Sequence, residues 1–163
     1  MDGATERLHA TAISVSHRAA LIRGPSGAGK SDLALRCLSI GVSTVTPIAA
    51  KLVADDQTLV TRRGITLIAS APAAIAGRLE VRGVGIVTLD YTLEAIVVLI
   101  VDLGANEPQP RFPAPWPMEQ LLGLNIPILR LDAFAASAAT KVLAALRFPE
   151  LPEVALTARS ELR

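Results

Sequence analysis

The octapeptide Gly24-Pro25-Ser26-Gly27-Ala28-Gly29-Lys30-Ser31 restricts the fold more than any other stretch of the chain. It satisfies the pattern G-x-x-x-x-G-K-[ST] and follows a short apolar run, residues 19–23. After it, the apolar positions Leu33, Ala34, Cys37 and Leu38 recur at helical spacing until Gly41 supplies a stop. Strand, glycine-rich loop and helix in this order aim backbone N–H groups and the positive end of a helix dipole at one point. All eight residues, Gly24, Pro25, Ser26, Gly27, Ala28, Gly29, Lys30 and Ser31, are therefore expected to cradle the phosphates of a nucleotide. Lys30 supplies a compact cation for the β- and γ-phosphates, and the Ser31 hydroxyl a ligand for magnesium.

A chain of 163 residues has room for one ordinary domain, which we expect over residues 1–148, with residues 149–163 forming a flexible tail. Apolar residues make up 51% and charged residues 19%, a balance for a buried core rather than disorder. The longest strongly apolar run, residues 96–101, is too short to span a bilayer and reads as a buried strand. No signal-peptide pattern precedes His9, so a cytoplasmic location is expected, without membrane partners. A net charge of +1 with no long Lys/Arg tract disfavours nucleic acid as a partner. Cys37 is the single cysteine; it excludes internal disulfides and falls on the apolar side of the helix, as core packing would require.

Alternation and turn signals predict strands at residues 8–15, 19–23, 51–54, 59–62, 66–69, 85–89 and 95–103, and helices at 31–40 and 133–146, the latter with Phe134, Ala138, Val142, Ala145 and Leu146 on one side. Many short strands with few helices between them imply an α/β domain whose sheet is mixed and largely antiparallel. Residues 106–117 contain five prolines and read as an irregular loop of functional length.

A phosphate cradle works with a carboxylate at the end of a neighbouring apolar strand. Two places offer one: the doublet Asp55-Asp56 after residues 51–54, and Asp102 after residues 96–101. Metal binding needs one carboxylate, whereas phosphoryl transfer to a hydroxyl also gains from a base, so a doublet serves both. Glu80 and Arg82 fall on one side of an extended segment beside Gly83 and Gly85, where close backbone approach admits a site role. His9 and His17 carry no meaning from their spacing alone.

Four ordered pieces of the sequence resemble the catalytic domain of the bacterial HPr kinase/phosphorylase family: Leu8-His9, 21 residues ahead of Lys30; the glycine-rich octapeptide; Leu52-Val53-Ala54-Asp55-Asp56; and Leu79-Glu80-Val81-Arg82-Gly83-Val84-Gly85-Ile86. The resemblance implies a P-loop fold similar to the nucleotide-binding core of phosphoenolpyruvate carboxykinase. It implies an ATP- and magnesium-dependent kinase, with pyrophosphate as an alternative donor, acting on a serine of the phosphocarrier protein HPr. In reverse, inorganic phosphate removes the serine phosphate and pyrophosphate is released. Asp55 then matches the base of the forward reaction and the acid of the reverse one. The resemblance further implies that His9 would lie beside the reacting phosphoryl group, that Lys30 would orient phosphates, and that Arg111 matches the catalytic arginine. By the same resemblance Ser31 and Glu80 would hold the metal, and Asp56, the other carboxylate of the doublet, is expected with them as a metal residue. Glu80, Val81, Arg82, Gly83, Val84 and Gly85 match the family's second signature. A basic segment of the family has only Arg130 as counterpart. Full-length members carry a separate N-terminal domain and assemble as hexamers.

Two other classes share the cradle. A small-metabolite kinase would use Asp55 to hold a hydroxyl, but such enzymes are helix-rich with an arginine-rich lid. A regulatory module that binds nucleotide without catalysis keeps the same core motif.

Overall fold

The computed structural model describes residues 2–104, 109–148, 151, 152, 155 and 156. In chain order the elements are β1 (Thr5–Leu8), β2 (Ala10–Val15), β3 (Arg18–Arg23), α1 (Lys30–Ser39), β4 (Lys51–Ala54), β5 (Thr58–Arg63), β6 (Thr66–Ser70), β7 (Arg78–Val81), β8 (Gly85–Thr88), β9 (Ala95–Leu103), β10 (Met118–Leu121), β11 (Leu124–Leu131), α2 (Ala138–Arg147) and β12 (Ala155–Leu156). Ten of the strands form one sheet, and β7 and β8 form a separate hairpin.

The main path of the large sheet runs β1-β5-β6-β9-β3-β2-β4. Its centre is parallel, with β3 and β11 both parallel to β9, while all other pairs are antiparallel. The mixed, largely antiparallel sheet expected from the sequence is therefore present. β9 shares one edge between two partners: β6 pairs at Ala95 and Ile96, and β11 takes over from Ile100 to Leu103.

Strict alternation divides the apolar residues between the two faces of the sheet. On β3, Ala20 and Ile22 face the side covered by α1 and α2, where they pack with Leu33, Cys37, Val142 and Leu146. Ala19 and Leu21 face the other side, among Val53, Val60, Leu67, Ile100 and Ile126. β9 serves both clusters, which is why its sequence reads as a continuous apolar run rather than an alternating one.

The expected strand at residues 8–15 is interrupted at His9: β1 pairs with β5, whereas β2 pairs with β3 and β4. The second helix begins at Ala138, five positions later than expected. Phe134 therefore leaves the helix and is 70% exposed instead of lying on its buried side. The strands β10 and β11 were not expected, and β11 contains Pro127, a residue that disfavours a central strand. Pro127 sits where β11 changes partner from β10 to β9, so its missing N–H breaks no ladder there. Of the expected tail, residues 149, 150, 153, 154 and 157–163 lie outside the described residues; Ala155 and Leu156 pair with β11.

Candidate active site

The sheet's connectivity collects the candidate residues at one edge. β3 ends at Arg23 and opens directly into the glycine-rich loop, which α1 then leaves. β2 is antiparallel to both β3 and β4, so the residue preceding β2, His9, and the residues following β4, Asp55 and Asp56, emerge at the same edge as the loop. Ligands of parallel strands bind outside their carboxyl ends, and this edge holds the carboxyl ends of β3, β9 and β11.

Close packing and left-handed backbone explain two of the glycines. A side-chain carbon at Gly24 would lie 2.9 Å from Ala28 Cβ and 3.2 Å from Leu103 Cβ. Gly29, with φ 97°, is the residue that turns the chain into α1, and no side chain caps that helix start. The first backbone N–H groups of α1 are thus left for an anion. Lys30 is buried, and its ammonium donates to the carbonyls of Gly24 at 2.9 Å and Pro25 at 3.1 Å. These neutral acceptors hold the cation beside the loop without neutralising it.

The two aspartates are in opposite situations. Asp55 is buried, and both its carboxylate oxygens are engaged: Oδ1 accepts from Ser31 Oγ at 2.6 Å and Thr11 Oγ1 at 2.9 Å, and Oδ2 from the backbone N–H of Glu80 at 3.0 Å. Asp56 is exposed, adopts a left-handed backbone with φ 63°, and meets the ring of His9, Nε2 to Oδ1, at 2.8 Å. The Thr11 hydroxyl also accepts from the Asp56 backbone N–H at 3.3 Å, so one buried threonine organises both. Thr11 escaped the sequence reading; its one signal was a polar residue among apolar neighbours two positions after His9.

A cleft of about 300 Å³ opens over these groups, lined by His9, Lys30, Ser31, Asp56, Glu80 and Phe134 among others. The β7–β8 hairpin brings Glu80, Val81 and Arg82 to it. Arg82 lies in the turn after β7 rather than in the extended strand, so the expected common side for Glu80 and Arg82 is replaced by a hairpin bend. Arg111 is exposed in the loop before β10 and does not line the cleft. Arg130, on β11, does not line it either.

Asp102 is excluded from the site by its partners. Arg23 donates to Asp102 at 2.9 and 3.0 Å and to Glu119 at 2.5 and 2.7 Å. The hydrogen bond to Glu119 and burial act on Arg23 in opposite senses, with the net effect upward; the same bond holds the Glu119 carboxyl below its ordinary range. That network ties the stem of the glycine-rich loop to β9 and β10.

Among the described residues, no group of three or more His, Cys, Asp or Glu side chains could hold a metal ion alone. Magnesium, however, is commonly held by one or two carboxylates, phosphate oxygens and water. The Ser31 hydroxyl against the Asp55 carboxylate, with Glu80 at the cleft wall, has the donor types for that mode.

The sequence model described as HPr Serine kinase C-terminal domain matches residues 3–145. The HPr kinase/phosphorylase of Chlorobaculum tepidum is 30% identical over 150 residues, covering 85% of this chain and 42% of that protein. That of Clostridium botulinum is 39% identical over 93 residues, covering 56% and 28%. The chain thus spans less than half the length of either relative. The solved structure of the Hpr(Ser) kinase/phosphatase from Coxiella burnetii is 22% identical with a TM-score of 0.69, over 86% of this chain and 87% of that one. At that identity the likeness speaks to the fold, which is the same mixed α/β arrangement.

Proposed function

This chain belongs to the HPr serine kinase C-terminal domain family, and from that premise we propose that it transfers the γ-phosphoryl group of ATP to a serine hydroxyl of HPr. In reverse, inorganic phosphate attacks the phosphoserine, giving pyrophosphate and the free serine. The observation that carries this reading is the unequal pair of aspartates beside the loop. A general base must turn an uncommitted lone pair towards its substrate. Asp55 is buried with three donors on its two oxygens and does not line the cleft, whereas the exposed Asp56 lines it with His9 orienting one oxygen.

The roles expected from sequence are accordingly exchanged. Asp56 takes the proton of the attacking serine, and when protonated returns it to the departing serine oxygen in phosphorolysis. Asp55, with Ser31 and Glu80, is assigned to the metal side. Magnesium, when bound with nucleotide, supplies positive charge at the β- and γ-phosphates. Lys30, released from the Gly24 and Pro25 carbonyls, turns its ammonium to the same oxygens. Arg111 receives no step, being outside the cleft.

A small-metabolite kinase is the weaker reading, since the described residues form two α-helices against twelve strands. The proposal includes a cytoplasmic setting and, from the resemblance, hexameric assembly. Among the described residues no helix is long and apolar enough to cross a membrane. The test is direct: purified protein with labelled ATP, magnesium and HPr yields phosphoserine-HPr, and added inorganic phosphate then releases pyrophosphate. Nucleotide binding without label on HPr would overturn the assignment in favour of a regulatory module.

A further inference from the structure

The cleft has two chemically distinct ends. At one lie the cradle, His9 and Asp56; at the other an exposed aromatic ring, Phe134, stands beside Gly29. Sheet order separates them: β4, which delivers the aspartates, lies on one side of β3, and β11, which delivers residues 132–137, lies beyond β9 on the other. A molecule crossing the loop from one side to the other meets an apolar ring first, then backbone N–H groups, then a carboxylate.

Phe134 is held in this position rather than left free. Its backbone N–H donates to Asp132 Oδ1 at 2.9 Å, and Ala135 N–H to the Asp132 carbonyl at 3.2 Å. Arg36 of α1, itself bonded to Asp32 at 3.0 Å, donates to the carbonyl of the buried Ala133. A side-chain carbon on Gly29 would stand 3.2 Å from Ala133 Cβ and 3.3 Å from Phe134 Cζ, so the ring lies directly against the cradle. Yet the ring is 70% exposed, although only 3% of the chain is aromatic. Fixing an apolar ring in water gives no folding benefit; covering it with a flat apolar surface does.

We propose that Phe134 is the stacking platform for the nucleobase, so that the nucleotide lies across the loop with its base on Phe134 and its terminal phosphate at Asp56. The inference rests on the nucleotide reading above and adds which side the base occupies and how it is read. Stacking on a ring face recognises any base in proportion to its π surface. The expected order is ATP and GTP alike, with CTP and UTP weaker.

The experiment is equilibrium calorimetry of ATP and of inorganic tripolyphosphate, each with magnesium, on the wild type, Phe134→Ala and Phe134→Trp. The expected result is ATP binding about tenfold weaker in F134A, tripolyphosphate unchanged, and ATP binding restored in F134W. Equal losses for both ligands would make Phe134 a prop for the loop and overturn the proposal, as would ATP binding that F134A leaves intact. A rise confined to the KM for HPr would assign the ring to the protein substrate, again overturning it. If the wild type bound neither ligand, the cradle reading itself would fall, which is distinguishable because tripolyphosphate needs no base. Thermal melts of both variants check that the exposed ring is not needed for folding.

Discussion

The aspartate doublet shows how far two adjacent identical side chains can diverge. Position relative to the strand end decides it: Asp55 still points into the packed sheet, while Asp56, in a left-handed conformation, turns out into the cleft. Asp56→Asn keeps the shape and the contact to His9 but removes the base. Turnover onto HPr should fall by about 10²- to 10⁴-fold, with ATP affinity unchanged in calorimetry. Asp55→Asn should do something different, because its amide would set a donor against the Ser31 hydroxyl, the Thr11 hydroxyl or the Glu80 N–H. We expect a loss of about 1–3 kcal/mol in urea unfolding and a higher magnesium requirement. Retained turnover in D56N together with a dead but stable D55N would restore the original order of roles. The doublet itself was legible in the sequence, since few residue types end an apolar strand that way. Which member did what was not, because the division depends on one residue's φ and on Thr11, a partner 44 positions away from Asp55.

At the level of elements, the β7–β8 hairpin carries a site residue yet belongs to no larger sheet. A two-stranded hairpin alone has little stability, so it must be anchored to the domain. Leu79 is fully buried, and Glu80 N–H bonds the Asp55 carboxylate. Leu79→Ala should cost about 2–5 kcal/mol in chemical denaturation. It should also raise the magnesium concentration for half-maximal activity, since Glu80 would lose its fixed position. Normal metal dependence in a destabilised variant would remove Glu80 from the metal side. Elements with strong local signals, such as β4 and β9, matched their expected bounds because pattern and packing agree there. β11 and the start of α2 did not. The first depends on a partner exchange at Pro127, and the second on Arg36 and Asp132 holding residues 132–135 out of the helix, neither of which is written in local periodicity.

For the molecule as a whole, the Arg23 ion-pair network and the helix-side apolar core give two readouts of global stability. The Glu119 carboxyl is held below its ordinary range, chiefly by its hydrogen bond to Arg23. A depressed folded-state pKa means that its contribution is complete above the unfolded value and vanishes as pH falls through the folded one. Because the Glu119 side chain is 39% exposed, that contribution is discounted to below about 1 kcal/mol. Thermal melts of Glu119→Gln should fall below wild type at pH 7 and converge with it as the pH falls below the ordinary carboxylate range; a constant gap would contradict the linkage. The helix-side core offers a sharper probe in Cys37, which is fully buried between α1 and α2, with its thiol against the Ala139 carbonyl. Burial pushes this thiol up to about 12. At pH 8 that leaves roughly one molecule in 10⁴ as thiolate, against about a quarter for a free cysteine, and a disulfide reagent could not reach it without parting the helices. Labelling should therefore be slow in native protein and rise with urea along the same curve as loss of circular dichroism. Since α1 also opens from the phosphate cradle, a nucleotide that binds only the folded state must suppress the opening by mass action. At a hundred times its dissociation constant, ATP with magnesium should slow labelling roughly a hundredfold. Rapid labelling of native protein at pH 8, or a rate indifferent to nucleotide, would mean that α1 moves independently of the core and that cradle and fold are not coupled through it.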